Sequence, residues 1–247
     1  MLTKGNALLK TVVVITGASS GVGKDAAIEL SKNENYHIVL VARNAEKLNE
    51  TKQEIEKHNG NAYNFATDIS IESGVKDLAE YIEKTFGKLN VLINNAGMGI
   101  FKPIVDLELD EWNLMHDTMV VGTFLCCKYL IPLILKSNHE EKRQIIINSS
   151  FWGQYGRTPL CASYIAAKFA QRGFSLSLRE ELRHQNIKVI CLMPGSIDTP
   201  FFSEGGWVHD PNRILNSKEI AKMLNDLVKY NSNFVIEEIV VQAINPD

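Results

Sequence analysis

Tyr164 and Lys168 stand four residues apart in Ser163-Tyr164-Ile165-Ala166-Ala167-Lys168, a spacing that puts both side chains on one face of a helix. A phenol with an ordinary pKa near 10 gives up its proton poorly at neutral pH. An ammonium group beside it stabilises the phenolate and lowers that value by about one to three units. The pair is therefore equipped to pass a proton. Fifteen and fourteen residues before Tyr164 come Ser149 and Ser150, at the end of an apolar run, where a hydroxyl can hydrogen-bond a substrate oxygen. Each element is common by itself: Tyr and Lys at this spacing are more often unrelated, and a serine after a strand is more often a turn. Their joint order carries the reading.

A second kind of chemistry is written near the start. Thr16-Gly17-Ala18-Ser19-Ser20-Gly21-Val22-Gly23 follows an apolar run and opens a helical pattern. Glycines let the backbone turn tightly and approach a ligand, and the N–H groups at the start of the helix face a pyrophosphate. The spacing is GxxxGxG rather than GxGxxG, and a glycine-rich turn alone is a weak signal. About 20 residues further on, dinucleotide folds usually place an acid against the adenosine ribose. Here Ala42 and Arg43 occupy that place. A small residue leaves room for a 2′-phosphate and a guanidinium donates to it, which favours NADP(H) over NAD(H). Lys24 either reaches phosphate or is a solvated residue of the first turn.

The elements that must hold these residues follow from hydrophobic periodicity. Short Val- and Ile-rich runs alternate with amphipathic stretches: 11–16 then 21–33, 37–42 then 44–58, 62–66 then 71–86. Further strands are predicted at 89–94, 144–149, 187–192 and 234–243, and long helices at 108–137 and 162–185. Several strands are continuous apolar runs, as burial on both faces requires. The prediction is one α/β domain over 1–247: a doubly wound parallel sheet of about seven strands, with helices on both faces. One irregular stretch, 198–216, reads as a binding loop. Its Phe201, Phe202 and Trp207 either close over an apolar or aromatic carbonyl substrate or simply pack the loop. Trp152 and Tyr155 carry the same two readings.

Composition narrows the classes. The chain has 247 residues, 45 % hydrophobic and 22 % charged, with a net charge of −3 and no basic block, which argues against nucleic acid and anionic membrane. Cys126, Cys127, Cys161 and Cys191 show no metal-ligand spacing, and the six histidines are scattered, so no metal is expected. Buried free thiols in a reducing compartment are the plainer reading. The first apolar run is short for a signal peptide. The longest apolar stretches are interrupted by Lys128 and Pro132, so a cytoplasmic protein without a membrane span is expected.

Along essentially its full length the chain resembles the short-chain dehydrogenase/reductase family. The likeness rests on the turn at 16–23, Asn94-Asn95-Ala96-Gly97, Ser150, Tyr164-x3-Lys168 and Pro194-Gly195. It implies a Rossmann-type fold, a nicotinamide cofactor, hydride transfer between an alcohol and a carbonyl, and a homodimer or homotetramer built on the helices near 108–137 and 162–185. It further implies that Tyr164 is the catalytic acid or base, that Lys168 lowers its pKa and holds the nicotinamide ribose, and that Ser150 orients the carbonyl. The cofactor would lie along Gly17, Ser19, Ser20, Gly21, Val22, Gly23, Arg43, Asp68, Ile69, Asn95, Ala96, Gly97, Pro194, Gly195, Ile197 and Thr199, besides Tyr164 and Lys168.

Two departures stand out. Met119 occupies the place of a family asparagine that supports a water-linked proton relay to the lysine; its backbone carbonyl, Thr118 or His116 are the available substitutes. Ser150 precedes Tyr164 by one residue more than is usual, so either Ser150, the favoured choice, or Ser149 faces the substrate. The expectation is an NADPH-dependent carbonyl reductase. The alternatives are an NADP(H)-binding sensor or scaffold with weak catalysis, and an alcohol or steroid dehydrogenase working oxidatively.

Overall fold

Seven strands hydrogen-bond into one sheet, and every pairing between them is parallel. The computed structural model describes residues 10–138, 141–205, 214–230 and 233–244, apart from the side chains of 202 and 203. The chain runs β1 (Thr11–Thr16), α1 (Gly21–Ser31), β2 (Tyr36–Ala42), α2 (Ala45–Glu56), β3 (Asn61–Ala66), α3 (Glu72–Phe86) and β4 (Val91–Asn94). There follow α4 (Leu109–His116), α5 (Gly122–Leu135), β5 (Gln144–Asn148), α6 (Ala162–Leu182), β6 (Lys188–Pro194), β7 (Ile197–Asp198) and α7 (Pro200–Glu204). The last elements are β8 (Leu215–Asn216), α8 (Ser217–Lys229) and β9 (Glu238–Val241). The sheet order is β3-β2-β1-β4-β5-β6-β9, and β7 pairs with β8 separately.

Alternate strand residues feed two cores, one on each face. Val13, Ile15, Ile38, Leu40 and Ile93 pack against α1, α2 and α8, while Val12, Val14, Val39, Val41 and Leu92 pack against α3, α5 and α6. This double burial is why the strands read as unbroken apolar runs.

All seven expected strands are present, with ends shifted by a few residues; the last is shorter, Glu238–Val241 rather than 234–243. Helix α8 fell outside the sequence expectation. Its Ile220, Ala221, Leu224, Leu227 and Val228 are buried on one face, and the Asn216 side chain caps it by accepting from the Lys218 N–H. The stretch 198–216 is less irregular than expected, since it holds α7 and β8; Gly206 and Trp207 of the supposed lid lie outside the described residues, as does the Phe202 side chain.

The long helix expected over 108–137 is continuous from Leu109 to Leu135 through Pro132, with one π turn at Asp117–Val121 joining α4 to α5. By length and composition it is apolar enough to cross a membrane, contrary to the expectation that Lys128 and Pro132 interrupt every such stretch. Its apolar residues, among them Leu125, Cys126, Leu130 and Ile134, instead fill the core beneath the sheet.

Candidate active site

In the strand order β3-β2-β1-β4-β5-β6-β9, the chain winds outward one way from β1 and the other way from β4. A parallel sheet wound this way opens a crevice beyond the carboxyl ends of its strands at that switch. A cleft of about 470 Å³ lies there. The two strand ends are tied together: Thr16 Oγ1 accepts from the N–H groups of Asn95 and Ala96, and Asn95 Nδ2 donates to the Thr16 carbonyl. Asn148 Nδ2 extends the tie to β5 by donating to Asn95 Oδ1 at 2.8 Å.

One half of the cleft presents free backbone N–H groups at a helix start. Gly17 and Gly21 have φ of +69° and +51°, which lets the chain leave β1, turn and enter α1. Ser20 caps α1 without a side-chain bond, so the first-turn N–H groups face the cleft beside Ser19, Gly21 and Val22. Gly23 does not line the cleft. A Cβ there would meet the Gly17 carbonyl and Asn95 Nδ2, so its role is close packing of turn, helix and β4. Lys24 turns away to pair with Glu54 at 2.8 Å.

At the end of β2, Ala42 and Arg43 line the cleft with Asp68 and Ile69. The Arg43 guanidinium is 60 % exposed and 3.9 Å from the Asp68 carboxylate, whose other oxygen accepts from the Ser70 N–H and hydroxyl. Asn44, Lys47 and Thr67 join this end and went unnoticed in the sequence, where nothing in their spacing marked them.

The other half holds the titratable groups. Gly97, Pro194, Gly195, Ile197 and Thr199 line it with Ser150, Tyr164 and Lys168. The two adjacent serines diverge. Ser149 Oγ donates to the Lys168 carbonyl at 2.9 Å and is spent on packing, whereas Ser150 lines the cleft beside Tyr164 and accepts from the Trp152 N–H. A 3-10 turn at Phe151–Gly153 and a left-handed Leu160, φ +64°, lie within the fourteen-residue span.

Burial dominates the electrostatics. It pushes the Tyr164 phenol well above its ordinary value, with the Ser150 hydroxyl opposing, and pushes the Lys168 ammonium down to about 7. The depression of the phenol by Lys168 expected from sequence does not contribute to this shift, whose direction burial sets. The Lys168 nitrogen lies 5.6 Å from the centre of the tyrosine ring and bonds the Asn148 carbonyl and Gln171 Oε1.

Gln171 was missed in the sequence. The signal was a glutamine three residues past Lys168, on the same helical face. It donates to the Met119 carbonyl at 2.8 Å, so that carbonyl remains an acceptor although the residue is Met. The other expected substitutes stand elsewhere: His116 stacks on Trp112, and Thr118 lines the cleft without a recorded bond to Lys168. Phe101, also unforeseen, packs edge-on against Tyr164, Trp152 and Phe201 at centroid distances of 5.7 to 6.3 Å. All four cysteines are buried and free, and no group of metal-binding side chains occurs among the described residues.

Comparisons with known proteins agree with this geometry. The family model for short chain dehydrogenases matches residues 11–206. An uncharacterized oxidoreductase of Staphylococcus aureus is 31 % identical over 96 % of this chain and 99 % of its own length. Two solved structures are each 27 % identical. One, a metagenomic short-chain oxidoreductase in complex with NADP, covers 94 % of this chain and 97 % of its own, with a TM-score of 0.81. The other, L-sorbose reductase from Gluconobacter frateurii complexed with NADPH and L-sorbose, covers 95 % of both, with a TM-score of 0.85. Fold, cleft and sequence likeness lead to one assignment: the chain belongs to the short-chain dehydrogenase family of oxidoreductases, with a cleft for NAD(P)(H).

Proposed function

We propose that the protein is an NADPH-dependent reductase of ketones or aldehydes. The observation that carries this reading is the convergence of Ser150, Tyr164 and Lys168 in the wall of one cleft, with Lys168 on the next turn of the same helix as Tyr164. When bound, the nicotinamide supplies a hydride to the carbonyl carbon. The carbonyl oxygen takes its place against the Ser150 and Tyr164 hydroxyls, and Tyr164 gives it a proton as negative charge develops. Burial keeps the phenol protonated beforehand, the state an acid needs. Lys168 then faces the phenolate, which regains its proton from water that enters the cleft once the product has left. The rings of Phe101, Trp152 and Phe201 around Tyr164 exclude water and favour an apolar substrate.

Arg43 supports the choice of NADPH. It stands where a carboxylate would repel the 2′-phosphate, is largely exposed in its 3.9 Å pair with Asp68, and has Lys47 on the same rim of the cleft. A cytoplasmic location fits the four buried thiols, and a homo-oligomer is part of the same proposal.

The test is NADPH consumption against aromatic ketones, diketones, quinones, aldehydes and acyl thioesters, with cofactor affinity followed by nicotinamide fluorescence. Tyr164→Phe is expected to lower kcat by about 10² to 10⁴ while keeping cofactor affinity. Near-normal turnover in that variant removes Tyr164 from the role, and tight binding without turnover across the panel supports a sensor. Arg43→Ala is expected to weaken NADPH by about tenfold or more and NADH little, since the lost bond is charge-assisted. Equal weakening of both rejects the 2′-phosphate argument.

A further inference from the structure

Lys168 is only 4 % exposed, and its ammonium carries three N–H donors. One is given to the Asn148 carbonyl at 3.0 Å and one to Gln171 Oε1 at 2.9 Å. Gln171, itself 1 % exposed, is equally committed at its other end. Its Nε2 donates to the Met119 carbonyl at 2.8 Å and to Thr123 Oγ1 at 3.0 Å, and the Thr123 hydroxyl donates to the same Met119 carbonyl at 2.6 Å. The network fixes which way round the carboxamide sits. A flip would set its oxygen against the Met119 carbonyl and its N–H groups against an ammonium, leaving buried groups unmatched on both sides. The acceptor end sits in the widened π turn, Asp117–Val121, a helix irregularity that occurs often at functional sites.

We infer that Gln171 is the positioning residue of the Tyr164–Lys168 pair: locked to the π turn through Met119 and Thr123, its carboxamide holds the Lys168 ammonium charged and aims its remaining N–H at the cleft. This rests on the catalytic reading of that pair given above. The charged form needs such help. Burial works against it, and no acidic side chain among the described residues bonds it. The titratable groups nearby are Tyr164 on α6, Cys161 just before that helix, and Cys191 on β6, all of them neutral at ordinary pH because burial raises them. Glu238 on β9 is held in a bidentate pair by Arg172, and Asp117 in the π turn is exposed. The strand ends of β5 contribute only uncharged Asn148, Ser149 and Ser150. A neutral amide thus does the work that a carboxylate does for most buried lysines.

The experiment follows the ¹³Cε resonance of Lys168 in lysine-labelled protein across pH, assigned by its disappearance in Lys168→Met. Gln171→Leu removes the acceptor and is expected to move the titration midpoint down by about one unit. Gln171→Glu places a carboxylate there and is expected to move it up by about one unit or more. Midpoints equal to that of the parent in both variants overturn the proposal. If Gln171→Leu does not fold, the near-isosteric Gln171→Glu decides alone. With an active substrate, the alkaline limb of kcat/KM should move in the same two directions at saturating NADPH. A moving NMR midpoint with a stationary limb keeps Gln171 as the positioning residue and rejects the catalytic reading of Tyr164 and Lys168.

Discussion

Ser149 and Ser150 show what a sequence can and cannot say about single residues. Their adjacency at the end of a strand requires that they face different ways, and only the structure tells which way each faces. Ser150 lines the cleft with Tyr164, while Ser149 is tied to the backbone of α6. The type and order of Ser, Tyr and Lys were legible because their chemistry depends on residue identity and helical spacing. The electrostatics were not, because desolvation depends on how much protein surrounds each group. For Lys168 that effect is testable by its pH dependence. Its folded value is held at about 7, whereas the unfolded chain keeps the ordinary value near 10.4, so between those two pH values the unfolded state binds the extra proton. Stability must rise with pH across that window, and the burial penalty is at its full size below about 7. Urea unfolding at pH 6, 8 and 10 should therefore show the parent gaining stability relative to Lys168→Met as pH increases. A constant difference between the two proteins would mean that the buried ammonium titrates normally.

Elements were legible where periodicity is strong and lost where hydrogen-bond register decides. The π turn inside the helix from Leu109 to Leu135 left no mark on the apolar pattern, yet it holds the carbonyl that Gln171 uses. Helix α8 was legible in principle, with Asn216 as cap and apolar residues at helical spacing, but it follows directly on a stretch read as loop. Glycines separate the two kinds of turn. Gly87 ends α3 at φ +72° with nothing within 4 Å of an added Cβ, so its role is conformational. Gly23 instead sits against the Gly17 carbonyl and Asn95, where an added methyl cannot fit. Gly87→Ala should cost about 1 kcal/mol of stability and leave NADPH affinity unchanged. Gly23→Ala should weaken NADPH by about tenfold or more, because the phosphate turn and α1 must part to admit the methyl group. Titrating both variants by nicotinamide fluorescence checks this; unchanged affinity in Gly23→Ala would mean that the turn tolerates the shift.

At the scale of the whole molecule, the doubly wound sheet was fixed by its continuous apolar strands, because only two covered faces can accommodate them. What covers the helices in turn is a separate matter. The continuous helix formed by α4 and α5 leaves Leu109, Leu114, Val121 and Phe124 in solvent, and α6, against which α4 packs, leaves Phe169 and Leu176 there; each is between 37 % and 70 % exposed. Isolated apolar side chains on a surface are ordinary, but several on two packed helices form the kind of patch a second copy covers. The net charge of only −3 offers little repulsion against such association. Sedimentation velocity at about 10 µM should therefore give a dimer or a larger assembly. The double variant Phe124→Glu, Phe169→Glu should sediment as a monomer, since a carboxylate buried in an apolar contact is left without a partner. Both substitutions lie on outward faces, so the far-UV spectrum should stay as in the parent. A parent that sediments as a monomer at that concentration would leave these faces to solvent and refute the homo-oligomer.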